Sequence, residues 1–60
     1  MLTQLEYEIL EECAGERAPR PWGAAVGATL EYLRKTGHLT DTDALTIKGR
    51  EVLDARKNQP

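Results

Sequence analysis

One cysteine and one histidine in 60 residues leave a small domain without its usual staples. Cys13 has no second cysteine to pair with, so an intramolecular disulfide is excluded. A single cysteine and a single histidine, His38, do not make a zinc site. The longest apolar stretch, WGAAVGATL, is far short of the roughly 20 residues that a membrane-spanning helix needs. The opening MLTQLEYEILEE is acidic and amphipathic, whereas an export signal has a basic start and an apolar stretch of roughly 7–15 residues. No internal repeat or low-complexity segment is present. No glycine loop stands between a strand and a helix in the order that cradles phosphate. An unpaired cysteine without an export signal predicts a cytoplasmic protein.

Sixty residues make a single domain, 1–60, too small for a deep substrate cleft. A chain of this size buries only about 60% of the surface that it exposes unfolded. Helix packing or oligomerisation has to supply the missing burial. The net charge of −2 is unevenly divided. Residues 1–16 carry five glutamates and no base, giving −5, and residues 17–60 carry all eight Lys/Arg against five acids, giving +3. That split predicts either one acidic and one basic side or two ordinary solvated faces.

Thr3 to Ala14 reads as a helix. Thr3 and Glu6 have capping-box spacing, and Gly15 supplies a stop. Leu5, Ile9 and Cys13 form one apolar stripe, and Tyr7, Leu10 and Ala14 a second. Two stripes mean that this helix is wedged between two elements or meets another chain. Cys13, on the core stripe, reads as a small buried hydrophobe.

GERAPRP, residues 15–21, is a loop, because its two prolines forbid a helix interior. A second helix is expected over 21–36, with Gly37 as its stop. Trp22, Val26, Thr29, Leu30 and Leu33 then share one face, which makes Trp22 the largest core piece in preference to an exposed anchor for a partner at the loop edge. That phase runs through Gly27 without a slip and favours one continuous helix over a pair broken near Gly27. Gly23 and Gly27 cost about 1 kcal/mol each relative to alanine, so either another backbone approaches the glycine edge, the simpler reading, or Gly27 is a turn residue. His38–Thr40 and Ala44–Thr46 flank Asp41-Thr42-Asp43 and read as a short hairpin, 38–46, with Leu39 and Leu45 inward. Thr46 caps a last helix, 47–57. Leu45, Gly49, Val52, Leu53 and Arg56 fall on one side of it.

The stretch LEYLRKTGHLTD…ALTIKGREVL resembles the second half of a winged-helix DNA-binding domain of the bacterial transcription-regulator type, and LTQLEYEIL resembles the first helix of such domains. Leu30, Leu33 and Gly37 match the end of a recognition helix, Leu39 and Leu45 a two-stranded wing, and Leu45-Thr46-Ile47-Lys48-Gly49-Arg50 the start of the final helix. The resemblance implies an α+β fold, a small winged-helix-like domain, and a DNA-binding or transcription-associated role. The wing would be stubby, with Asp41 and Asp43 at its tip. The span between Gly15 and Gly37 is short for two helices and a turn.

In that reading Arg34 contacts a guanine edge or a phosphate and Lys35 a phosphate. Arg17, Arg20, Lys48 and Arg50 add backbone contacts. Double-stranded DNA is then the partner, met by a homodimer or a larger complex, since twofold arrangements read two half-sites. The rival reading is a protein-interaction module without DNA binding, in which Tyr7, Leu10 and Ala14 meet another chain. Enzyme chemistry has little to build on. His38 reads as a surface or capping residue, and Asp41 and Asp43 are turn residues short of a metal-ligand set. No cofactor, metal or small-molecule substrate is expected.

Overall fold

The computed structural model describes residues 2–58. Three helices, α1 (Gln4–Cys13), α2 (Ala24–Lys35) and α3 (Ile47–Lys57), follow one another. Each is delimited by local chemistry. At the start of α1, Thr3 Oγ1 accepts from Glu6 N at 3.2 Å, and Glu6 Oε1 accepts from Thr3 N at 2.8 Å, so each residue's side chain satisfies the other's backbone N–H. At its end Gly15 adopts φ +77°. Gly15 N then donates to Glu12 O and Glu16 N to Glu11 O. α2 stops the same way, with Gly37 at φ +81°, Gly37 N on Arg34 O and His38 N on Leu33 O. Both are Schellman stops, and the left-handed residue each needs is a glycine. Thr46 caps α3 by accepting from Gly49 N at 3.1 Å.

α1 is wedged between α2 and α3, packing on both. Ile9 and Leu10 from α1, Leu33 from α2, Leu53 from α3 and Leu39 from the connection are buried and form the core. Leu2, Leu5, Cys13, Val26, Leu30 and Leu45 pack around it. The second apolar stripe of α1 is thus largely accounted for within the chain.

The expected α+β fold with a hairpin over 38–46 is not what forms. The domain is helical, and between α2 and α3 a single antiparallel bridge pairs Leu39 with Leu45. The reason lies at the ends of the would-be strands. His38 N is taken by the stop of α2, on Leu33 O. Thr46 O is taken by the start of α3, accepting from Arg50 N at 2.9 Å, while the Thr46 hydroxyl donates to Gly37 O at 2.5 Å. Too few residues remain between these caps for a ladder. The turn instead closes on Thr40, whose Oγ1 accepts from Thr42 N and Ala44 N, with Asp43 left-handed at φ +65°. Without strands there is no wing, and the winged-helix architecture is withdrawn with it.

The second helix also departs from its expected bounds. It begins at Ala24, with Gly23 as an extended N-cap at φ −160°. It runs unbroken through Gly27, so no helix-turn-helix forms there. Trp22 lies outside the helix and is out of phase with Val26 and Leu33. Its ring folds back over the first turn, where a Cβ on Gly27 would meet the indole at 2.8 Å. The close neighbour of the glycine edge is thus an indole, not another backbone.

Candidate functional site

The charge split along the sequence is consumed within the fold. Loop cations return to the acidic helix α1. Arg17 Nε reaches Glu11 at 3.2 Å. Arg20 clamps α1 twice, through Nη2 to Glu8 at 2.5 Å and Nε to Glu12 at 2.7 Å. Glu16, just past the end of α1, receives Arg50 at 2.9 Å and also Lys57, tying the end of the first helix to the third. Arg50 additionally reaches Asp54. Arg34 pairs with Asp43 across the turn, and Lys35 with Glu31 at 3.0 Å. Lys48 Nζ donates to Thr36 O at 2.8 Å, capping the end of α2.

The six candidate nucleic-acid contacts, Arg17, Arg20, Arg34, Lys35, Lys48 and Arg50, are therefore distributed over acids on every helix and in the turn. All but Lys48 hold a carboxylate. Ionisation follows the pairing. Arg20 and then Gln4 hold the Glu8 carboxyl below its ordinary value, Lys57 and Arg50 do so for Glu16, and Lys35 for Glu31. The partner guanidiniums of Arg20 and Arg50 are held above theirs, chiefly by Glu8 and Glu16.

A carboxylate held below its ordinary 4.5 stabilises the fold above that pH, and the contribution is lost as pH falls through the folded value. Thermal stability is accordingly expected to decline below about pH 4.5 as Glu8, Glu16 and Glu31 protonate. Glu16→Gln should remove part of that decline in low-salt melts followed by circular dichroism. An acid profile identical to the parent's would show that the Glu16 node contributes nothing.

The interface candidates on α1 fare unevenly. Leu10 is 0% exposed, enclosed by its own chain, and is not available to another. Tyr7 and Ala14 are half-buried. The Tyr7 ring lies under the Arg56 guanidinium, 4.5 Å from its centroid. Cys13 packs against the core. Burial, then the Asp43 and Glu12 carboxylates, push its thiol up, so it stays protonated. His38 is not a surface residue. It is buried, with Nδ1 2.7 Å from Thr36 Oγ1.

The side chain that sequence reasoning misplaced is Trp22, which is 75% exposed. Beside it runs a trough of about 320 Å³ with Pro19, Val26, Leu30 and Cys13 in its walls and Arg20, Glu12 and Asp43 among its polar lining residues. The signal available beforehand was Pro21, which holds the preceding chain extended, together with the better start that Gly23-Ala24 offers a helix. No protein-family model matches the chain, and neither the curated proteins nor the solved structures include a match to it.

Proposed function

We propose that this chain is a non-enzymatic protein-interaction module that associates with a second copy of itself through the Trp22 face. The observation that carries the reading is the exposed indole beside an apolar trough. Tryptophan is enriched among the few residues that dominate interface energy, and a 60-residue domain gains burial by pairing. The edge of the trough carries both signs, Arg20 with Glu12 and Asp43 with Arg34. A twofold interface must be self-complementary, and an edge of mixed sign satisfies that. A standard interface takes about 800 Å² from each partner, roughly one-fifth of the 3999 Å² accessible surface.

The paired cations weigh against the nucleic-acid reading. A phosphate would have to displace a carboxylate from five of the six candidate bases, and the net charge of −2 gives no long-range attraction. Enzyme chemistry has no better footing, with His38 turned to Thr36 and Cys13 kept as a thiol.

Sedimentation velocity tests the proposal. A monomer–dimer equilibrium is expected, and Trp22→Ala should shift it at least about tenfold toward monomer while leaving the helical circular dichroism intact. A monomer at every concentration, or a dimer indifferent to Trp22→Ala, would overturn it. Titration with random duplex DNA at ~50 mM salt separates the rival. Micromolar binding that falls steeply as salt is raised would replace the interaction reading with the nucleic-acid one.

A further inference from the structure

Two of the eight Lys/Arg lack a carboxylate among the described residues, and both line one cleft. Lys48 is held on Thr36 O. Arg56 is held on Gln4 Oε1 and over the Tyr7 ring. The cleft, of about 490 Å³, lies between the start of α1, the end of α2 and α3, and no Asp or Glu is among its lining residues. In a chain with more acids than bases, a cleft that gathers the cations without carboxylates and no anions is a selective feature. It shares no lining residue with the Trp22 trough.

His38 gives the cleft a polarity. Thr36 Oγ1 donates its one proton toward the carbonyls of Tyr32 and Leu33, at 2.9 and 3.3 Å. Toward His38 it then acts as acceptor, and on that ground we assign the imidazole proton to Nδ1, which leaves Nε2 a lone pair. No fully enclosed side-chain nitrogen or oxygen among the described residues lacks a partner, so the unbonded Nε2 keeps access to solvent. Burial and then the neighbouring Lys48 hold the imidazole below its ordinary value, against the smaller opposing pull of Glu6, whose carboxylate is engaged on Thr3 N. The cleft thus offers a neutral acceptor, two cations, two phenols from Tyr7 and Tyr32, and an apolar floor at Val52 and Ala55.

We propose that this cleft binds an extended acidic peptide segment of a partner protein. Lys48 and Arg56 are eight residues apart on α3, about 12 Å along its axis. Two carboxylates four residues apart on an extended strand are about 13 Å apart, which matches one carboxylate to each cation. The side chain midway between them, on the same face of the strand, meets Val52 and Ala55. A backbone N–H supplies the donor that His38 Nε2 requires, which a simple carboxylate does not carry. This site is independent of the Trp22 face.

The test is a titration of the intact chain with an acetylated, amidated pentapeptide, Glu-Val-Ala-Val-Glu, followed by calorimetry and by the His38 imidazole resonances. The glutamate peptide is expected to bind at least about tenfold more tightly than its Gln-for-Glu analogue and to shift the His38 signals. Lys48→Glu with Arg56→Glu should lose that peptide and gain its Lys-for-Glu counterpart. If that pair unfolds, Lys48→Gln with Arg56→Gln should still weaken the glutamate peptide about tenfold. Trp22→Ala should leave peptide binding unchanged, so this proposal and self-association fail separately. Equal affinity for the Glu and Gln peptides would overturn the assignment. So would inorganic phosphate shifting His38 as effectively as the peptide, or no binding.

Discussion

Gly49→Ala is expected to destabilise the fold by about 2 kcal/mol or more. A Cβ at this position would lie 2.2 Å from His38 O and 3.2 Å from Leu45 Cδ2. The first neighbour is backbone. It also accepts from Thr46 N at 3.2 Å, so it cannot swing aside as a side chain tip would. Alanine would gain about 1 kcal/mol of helix propensity over glycine. Over-packing against a fixed carbonyl costs typically 1–3 kcal/mol and occasionally more, here at its upper end because α3 must lift away from the bridge beneath it. A net loss of about 2 kcal/mol or more is large against the roughly 3–9 kcal/mol available to a chain of this length. Urea unfolding monitored by circular dichroism measures it directly. An alanine variant as stable as the parent would mean that α3 does not rest on the 38–39 backbone as described.

Leu10→Ala is the second large effect, and it decides between two roles for one side chain. At an interface between copies, truncating Leu10 would weaken association and leave the monomer folded. In the core, it removes a side chain that is 0% exposed and packed with Ile9, Leu33, Leu39 and Leu53. Leucine-to-alanine changes at such sites cost about 2–5 kcal/mol, according to how far the cavity collapses. We expect the larger half of that range, because α1 is held on both sides and cannot relax toward either neighbour alone. The midpoint in urea should fall at all protein concentrations. A loss of stability seen only at low concentration would return Leu10 to an interface.

What was legible beforehand follows from the range of the forces involved. The Thr3–Glu6 capping box, the glycine stops at 15 and 37 and the Thr46 cap each depend on atoms within about six residues of one another. They could be read from spacing, as could the inward side of α3 at Gly49 and Leu53. The hairpin was misread because the same local signals compete there. Leu39 and Leu45 do face each other and Thr46 N still bonds His38 O, but His38 N and Thr46 O are committed to the helices on either side, so the ladder stops there. The candidate site was less legible still. Pairing Glu16 with Arg50 and Lys57 joins residues 34 and 41 positions apart, and nothing in the spacing of charges selects those partners from the other acids.

By itself the sequence determined where α1 and α3 start, where α1 and α2 stop, and that no disulfide or zinc staple holds the chain, because these depend on neighbours in the chain and on composition. Only the tertiary structure decided which cations are spoken for. It placed α1 between two helices, brought its glutamates to cations of the following loop and Glu16 to cations of α3, and left Lys48 and Arg56 in one cleft without a carboxylate among the described residues. It also decided the fate of Trp22. With the helix starting at residue 24 and Gly23 extended, Trp22 lies outside the roughly 100°-per-residue turn that would have aimed it at the core, and its ring lies over Gly27 beside the trough instead.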